Sequence, residues 1–135
     1  PRLPDHWDVI DKATPERPFR MVTAPARNFL NTTFTETPTS QTRESRPAVK
    51  VHPGDALRLG IDDGARVRIG NAQGSVVLHA EHFPGLRPGV LVVESIWPNA
   101  AFEEGVGINA LTSAEAAKPN GGAAFHDTAV WLRPA

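Results

Sequence analysis

The chain contains no cysteine among its 135 residues. That absence excludes disulfides, an iron–sulfur cluster bound by this chain and any thiolate ligand to a metal. The 5 histidines offer no substitute, because none belongs to a His-x-x-x-His pair and none has a carboxylate at ligand spacing. The sequence therefore predicts no metal site within this chain.

An excess of charge of one sign is also missing. The chain carries 14 Lys and Arg against 15 Asp and Glu, a formal net charge of −1. So weak a field gives no reason to expect nucleic acid or an anionic membrane surface as the main partner. No apolar run approaches the roughly 20 residues that span a bilayer, and residues 1–4 do not resemble a signal peptide. We favour a cytoplasmic location, and the missing initiator methionine suits a fragment or a processed product.

What is present is typical of one globular domain. Hydrophobic residues make up 40% of the chain and charged residues 21%. The 11 glycines and 13 prolines are spread between short apolar runs, which indicates a β-rich fold with many loops. Strands are predicted over residues 19–23, 48–51, 66–70, 75–81, 90–93 and 129–132. A closed barrel suits such a set because it leaves no strand edge exposed.

The clearest helix signal starts at Pro53. Proline suits the first helical turn, Asp55 favours the positive end of the helix dipole, and Gly60 ends the helix. We expect Leu57, Leu59 and Ile61 to face inward. Further helical turns are predicted over residues 99–104 and 112–117, the second capped by Thr112 or Ser113.

The remaining segments define the domain organisation. Residues 24–46 are polar and are predicted to lack regular structure, and a stretch of that length is usually functional or mobile. Residues 1–18 are read as an arm or a linker, and residues 19–135 as the barrel domain.

Several short motifs occur in a fixed order along the chain. They are VHPGDA at residues 51–56, LGI at 59–61, DG at 63–64, a hairpin containing Gly74, RPGV at 87–90, WP at 97–98, GINALT at 107–112 and GAAFHD at 122–127. With these motifs in this order, the chain resembles the molybdopterin dinucleotide-binding domain of the dimethyl sulfoxide reductase family, and the resemblance extends over residues 19–132. Formate dehydrogenases and nitrate reductases belong to that family of oxidoreductases.

The resemblance implies a mainly β fold, a six-stranded double-psi β-barrel with two or three short helices. It implies a bis(molybdopterin guanine dinucleotide) cofactor that carries one Mo or W atom. The metal ligand and any iron–sulfur cluster would come from other domains of the same oxidoreductase, which would be the partners of this chain. This chain would bind and orient the cofactor as a C-terminal domain and would not be catalytic alone.

The resemblance places cofactor-binding residues on three segments. The loop after the first strand supplies Thr23, Arg27, Asn28, Asn31, Thr32 and Thr33. The second segment supplies Asn109, Leu111 and Thr112, and the third supplies Gly122, Phe125, His126 and Asp127. Many family members have a lysine or a tyrosine near the third segment, where this chain has His126 and Asp127.

The residue types suit a dinucleotide. Hydroxyls, amides and an occasional cation can hold a pyrophosphate or a pterin at a low desolvation cost. An asparagine such as Asn109 both donates and accepts, so it can bind the edge of a guanine or a pterin. Each segment also has a plainer reading: a polar loop, a helix cap at Thr112, and a flexible turn before the last strand with Phe125 in the core.

Two other functions remain open from the sequence. A free-standing double-psi barrel enzyme could cleave itself at the Gly74–Ser75 bond, as pyruvoyl-dependent decarboxylases of this barrel class do, although an ordinary hairpin turn explains that pair far better. A peptide-binding barrel is the other alternative, and no stripe of exposed aromatic residues suggests it.

Overall fold

The computed structural model describes residues 8–94 and 96–135. The elements in chain order are β1 (Phe19–Ala24), α1 (Pro38–Glu44), β2 (Ala48–Val51), α2 (Pro53–Leu59), β3 (Arg66–Gly70), β4 (Ser75–His82), β5 (Val90–Glu94), two 3-10 turns (Asn99–Ala101 and Ile108–Leu111), β6 (Ala116–Ala117), β7 (Gly122–Ala123) and β8 (Thr128–Pro134). Both α-helices are short, and no helix in the described part of the chain has the length and apolar character needed to cross a membrane.

Six strands close into a barrel in the order β1-β5-β2-β4-β3-β8. Strand β1 runs parallel to β5, and β2 runs parallel to β4, whereas the other four contacts around the barrel are antiparallel. The short strands β6 and β7 form a separate two-stranded ribbon. The predicted mainly β fold, a six-stranded double-psi barrel with two helices, is confirmed.

In β2, β3 and β5, buried residues alternate with less buried ones, as expected for strands with one side facing inward. In β3, Val67 and Ile69 are fully buried, while Arg66 points to solvent. Strands β2 and β5 follow the same period, with Val49 and Leu91 fully buried. These side chains fill the barrel, so the core holds the strand ends in fixed positions.

Helix α2 begins and ends where the sequence predicts. Pro53 occupies its first turn, and the ring Nδ1 of His52 accepts a hydrogen bond from the main-chain N–H of Gly54 at 3.0 Å. Gly60 adopts the left-handed conformation with φ 65°, as a helix-ending glycine does. The expectation that Leu57 faces inward was wrong, because its exposed fraction is 83%. Successive helical residues differ by about 100°, so burying Ala56 turns Leu57 towards solvent.

The predicted helix over residues 112–117 was also wrong. Thr112 ends the second 3-10 turn in an extended conformation instead of starting a helix. Ala116 and Ala117 then pair with Ala123 and Gly122 in the β6–β7 ribbon. The intervening Pro119 and Gly121 suit a turn, and the N–H of Gly121 bonds to the carbonyl of Ala117 at 2.8 Å.

Two further helical predictions met different outcomes. The turn predicted over residues 99–104 is a 3-10 turn restricted to Asn99–Ala101. Helix α1 lies inside residues 24–46, where no regular structure was predicted, and none of its residues is buried. Because α1 has no buried face, apolar residues do not recur along it at the helical period. That recurrence is the main sequence signal for a helix.

Asp55 is a buried acidic residue with an exposed fraction of 1%. Its Oδ2 accepts a hydrogen bond from the main-chain N–H of Gly89 at 2.6 Å, and its Oδ1 pairs with the guanidinium of Arg58. The carboxylate therefore fastens helix α2 to the turn that precedes β5.

Replacing Asp55 should destabilise the barrel. Asp55→Ala leaves the N–H of Gly89 without its acceptor, which should lower the free energy of unfolding by about 2–3 kcal/mol. Urea unfolding of the chain measures this change. Asp62→Ala, in an exposed turn, is the matched control and should change stability by no more than about 0.5 kcal/mol. Equal stability of the two variants would contradict the role given to Asp55.

Candidate functional site

Three segments meet at one end of the barrel. Strands β1 and β5 run parallel and finish side by side at Ala24 and Glu94. Strand β8 runs antiparallel to β1, so it begins at that same end. The segments that follow β1 and β5 and the turn that precedes β8 are therefore brought together.

A cleft of about 330 Å³ lies between these segments. It is lined by Thr23, Ala24, Pro25, Ala26, Asn31, Ile96, Ile108, Asn109, Phe125 and His126. Most of its wall is apolar, and the exposed fractions of Ile96 and Phe125 are 46% and 49%. Apolar walls with a few polar groups are typical of sites for small organic ligands.

The polar groups of the cleft are free to bind a ligand. The side chains of Thr23, Asn31 and Asn109 form no hydrogen bond with any described residue, while the ring of His126 lies against that of Phe125, at 4.3 Å between ring centroids. Each asparagine amide can donate two hydrogen bonds and accept others. The cleft therefore offers donors and acceptors beside an apolar surface.

Local structure fixes these side chains. Thr23 lies in the ladder between β1 and β5, opposite Val93. Asn31 lies in a tight turn in which Leu30 and Thr33 exchange hydrogen bonds of 3.0 and 2.8 Å, and its φ of 52° is one that asparagine tolerates. Asn109 lies in the second 3-10 turn, which is anchored by the buried Leu111.

Five of the predicted site residues line the cleft: Thr23, Asn31, Asn109, Phe125 and His126. Arg27, Thr32 and Thr33 lie nearby in the exposed loop after β1, and Arg27 forms no ion pair with the described residues. The sequence also predicted Leu111, whose side chain is fully buried in the core, and Thr112, which ends the second 3-10 turn. Gly122 is exposed in the β6–β7 ribbon.

Two more predicted site residues have partners inside the protein. Oε1 of Glu44 accepts hydrogen bonds from both the main-chain N–H and the side-chain amide of Asn28, each at 2.7 Å. Asp127 forms an ion pair with Arg20 and lines a neighbouring cleft instead.

Sequence reasoning missed the apolar part of the wall: Ala24, Pro25, Ala26, Ile96 and Ile108. The position of Ala24 directly after a predicted strand was a usable signal, since the ends of strands carry binding loops. Ile96 gave no such signal, because only the parallel pairing of β1 with β5 brings it to the cleft.

The neighbouring cleft is polar and measures about 260 Å³. It lies between residues 8–11, residues 113–118 and the turn before β8, and His126 lines both clefts. Across residues 8–94 and 96–135, no group of three His, Cys, Asp or Glu side chains is placed to hold a metal ion.

Several basic residues on the barrel surface are already neutralised. Lys50 pairs with Glu94 at 2.7 Å, and Arg66 and Arg68 pair with Glu103 and Glu104. Hydrogen bonds from Arg68 hold the pKa of Glu104 below its usual range. The pairs of Arg66 and Arg68 tie β3 to the loop after the first 3-10 turn, whereas the pair of Lys50 joins β2 to β5. None of these residues lines the cleft.

The environment of His79 shifts the pKa of its ring. Its burial, followed by the nearby charge of Arg46, lowers the pKa of its ring. The ring lies on β4, away from the cleft, so this shift does not bear on the candidate site.

The Gly74–Ser75 pair lies in the hairpin between β3 and β4. The carbonyl of Gly74 accepts a hydrogen bond from the N–H of Asn71 at 3.0 Å, and the hydroxyl of Ser75 accepts one from Arg68 at 3.0 Å. Both contacts are those of a regular hairpin.

Comparison with known proteins gives a family and two relatives. Residues 19–129 match the family model described as "Molydopterin dinucleotide binding domain". The chain is 34% identical over 125 residues to "Probable oxidoreductase YoaE" of Bacillus subtilis (strain 168), a match covering 93% of this chain and 18% of that protein. It is 33% identical over 129 residues to a protein of Halobacterium salinarum named as a putative dimethyl sulfoxide reductase catalytic subunit, covering 96% of this chain and 15% of that protein.

A solved structure shares the fold. Acetylene hydratase from Pelobacter acetylenicus superposes with a TM-score of 0.74 at 14% sequence identity, covering 89% of this chain and 19% of that one. The chain thus spans less than a fifth of the length of each of these three proteins.

The contact between Glu44 and Asn28 should hold the loop after β1. Glu44→Ala removes the acceptor, so hydrogen exchange at the N–H of Asn28 should accelerate by about tenfold or more. Glu44→Gln keeps an oxygen acceptor and should exchange nearly as slowly as the unaltered chain. The measurement is amide hydrogen exchange read by NMR, and equally fast exchange in both variants would contradict the assignment.

The hairpin geometry predicts that the Gly74–Ser75 bond stays intact. Mass spectrometry of the purified chain should show one species at 14.5 kDa. Two fragments divided at this bond would instead support the self-cleaving alternative.

Proposed function

The chain belongs to the molybdopterin dinucleotide-binding domain family, and on that basis we propose that its cleft holds part of a bis(molybdopterin guanine dinucleotide) cofactor and orients it within a larger oxidoreductase. The observation that carries this proposal is the set of free polar side chains, Thr23, Asn31 and Asn109, against an apolar wall.

The chemistry of the cleft fits one ring system of such a cofactor. Guanine and pterin are flat, with apolar faces and edges that both donate and accept hydrogen bonds. The amides of Asn31 and Asn109 suit the edges, and the exposed ring of Phe125 and side chain of Ile96 suit the faces. We assign the specific contacts with the ring to these four residues.

The size of the cleft limits how much of the cofactor it can take. Its volume of about 330 Å³ lies at the lower end of the range for ligand pockets, about 300–1,000 Å³. That volume suits one ring and its immediate substituents, so the remainder of the cofactor would lie against other surfaces. Arg27, Thr32 and Thr33 would supply a cation and two hydroxyls for the pyrophosphate.

The residue types indicate what the cofactor contributes and what this chain contributes. When bound, the cofactor supplies a Mo or W atom for oxygen-atom or electron transfer. This chain's part is to bind and orient, and we propose that it is inactive alone. The name of the Halobacterium relative, which describes a reductase, supports a redox function for the whole protein. Any ligand from protein to the metal, and any iron–sulfur cluster, would come from its other domains.

The test starts from the native polypeptide that contains this sequence. Elemental mass spectrometry should find near-stoichiometric Mo or W. Acid hydrolysis should release a guanine nucleotide in an amount proportional to the metal content. A native protein with neither metal nor guanine nucleotide would contradict the proposed function.

A substitution in the native protein then tests the cleft itself. Asn109→Ala removes a hydrogen-bonding edge, so the cofactor should bind about threefold to tenfold more weakly, measured as the metal retained after dialysis. Asn120→Ala, at an exposed asparagine in the turn between β6 and β7, is the matched control and should retain metal as the unaltered protein does. Equal retention by both variants would place the ligand elsewhere.

A further inference from the structure

An ion pair joins strand β1 to the turn before β8. The Nε of Arg20 donates to Oδ1 of Asp127 at 2.6 Å, and Nη2 of the same guanidinium bonds to Oδ2. Both carboxylate oxygens therefore face one guanidinium in a two-point contact, the arrangement in which arginine fixes the orientation of a carboxylate most firmly.

Asp127 is not among the residues that line the apolar cleft. Its side chain lines the polar cleft, whereas His126 before it lines both clefts and Phe125 lines the apolar one. The exposed fraction of the Asp127 side chain is 25%. Both of its oxygens are engaged by Arg20, so the carboxylate is held by a contact within the protein.

The backbone of Asp127 is also unusual. Its φ is 63°, in the left-handed region that Asp and Asn enter more readily than other residues with a side chain. At this residue the chain changes from the cleft wall, Phe125 and His126, to the ladder that begins at Thr128. The direction of the wall therefore depends on how Asp127 is held.

The anchor and the opposite wall lie on the same strand. Arg20 and Thr23 both belong to β1, which pairs with β8 at Met21↔Thr128 and Arg20↔Ala129. The contact from Arg20 to Asp127 thus ties the turn that carries Phe125 and His126 to the strand whose end also lines the cleft.

We propose that Arg20 and Asp127 are positioning residues, which set the width of the cleft and thereby the rate at which it loses its cofactor. This proposal rests on the proposed function. It departs from the expectation that Asp127 contacts the cofactor itself, because it assigns Asp127 an action through Phe125 and His126.

The experiment uses the native polypeptide and follows the loss of Mo or W over time by gel filtration and elemental analysis. Asp127→Asn removes the charge but keeps a side chain that tolerates the left-handed backbone. The expected result is loss of metal about tenfold faster, within the range of couplings between contacting residues. Arg20→Gln should have the same effect, and it serves as the test should Asp127→Asn not fold.

Two double variants separate positioning from direct contact. Combining Arg20→Gln with Asp127→Asn should cause no faster loss than either change alone, since both remove one contact. In a Phe125→Ala background, Asp127→Asn should have little further effect, because the wall that it positions has been removed. Additive effects in both double variants would mean direct contact by Asp127 and would overturn the proposal.

A variant in a different ion pair serves as the control, and the unaltered protein serves as the reference. Arg66→Gln breaks the two-point contact with Glu103 away from the cleft, and it should leave the rate of metal loss unchanged. Rates are compared well below the unfolding midpoint of every variant, so lowered stability alone cannot produce the difference. If the unaltered protein contains the metal, and its Asp127 and Arg20 variants lose that metal at the same rate as the unaltered protein, only this proposal is overturned. If the unaltered protein contains neither metal nor guanine nucleotide, the proposed function is contradicted.

Discussion

Strand β1 pairs with β5 on one side and with β8 on the other, and the candidate site depends on this double pairing. The parallel contact places the segments after β1 and β5 at one end of the barrel. The antiparallel contact brings the start of β8 to that end. Residues far apart in sequence, Thr23, Ile96 and His126, consequently line one cleft.

The fold does not require the exposed apolar side chains that line the cleft. Barrel stability comes from the fully buried side chains inside it, such as Val49 and Leu91, and Ile96 and Phe125 add little while their surfaces remain exposed. An apolar surface beside amides without partners is instead what a flat heteroaromatic ligand needs. Exposure of these residues is explained if the proposed cofactor covers them in the complete polypeptide.

Part of the barrel could be predicted because strands such as β2 and β3 alternate between buried and more exposed residues. Val67 and Ile69 indicate β3, and Pro53 with Gly60 delimits α2 through the backbone chemistry of proline and glycine. Helix α1 was not predicted because it buries no residue, so no period of 3.6 is present. The helix expected over residues 112–117 failed for another reason: tertiary pairing of Ala116 and Ala117 with β7 outweighed their helix propensity.

The site could be predicted only where a resemblance supplied it. The motif order placed Thr23, Asn31 and Asn109 among the candidates, and the structure brings them together. No pattern in the sequence could indicate that Asn28 binds Glu44 or that Asp127 pairs with Arg20, because these contacts depend on the closed barrel. An amide or a carboxylate can bind either a ligand or another residue of the protein. The residue types of Asn28 and Asp127 therefore do not indicate which of these each one does, and only the structure shows their contacts.

The central claim is that the cleft at the end of β1 is where the dinucleotide lies. The most direct measurement is an experimental structure of the native polypeptide with its cofactor bound. The account predicts a guanine or pterin ring stacked against Phe125 and Ile96, with its edge within hydrogen-bonding distance of Asn31 or Asn109. A cofactor bound elsewhere, with this cleft filled by solvent or by another part of the polypeptide, would contradict it.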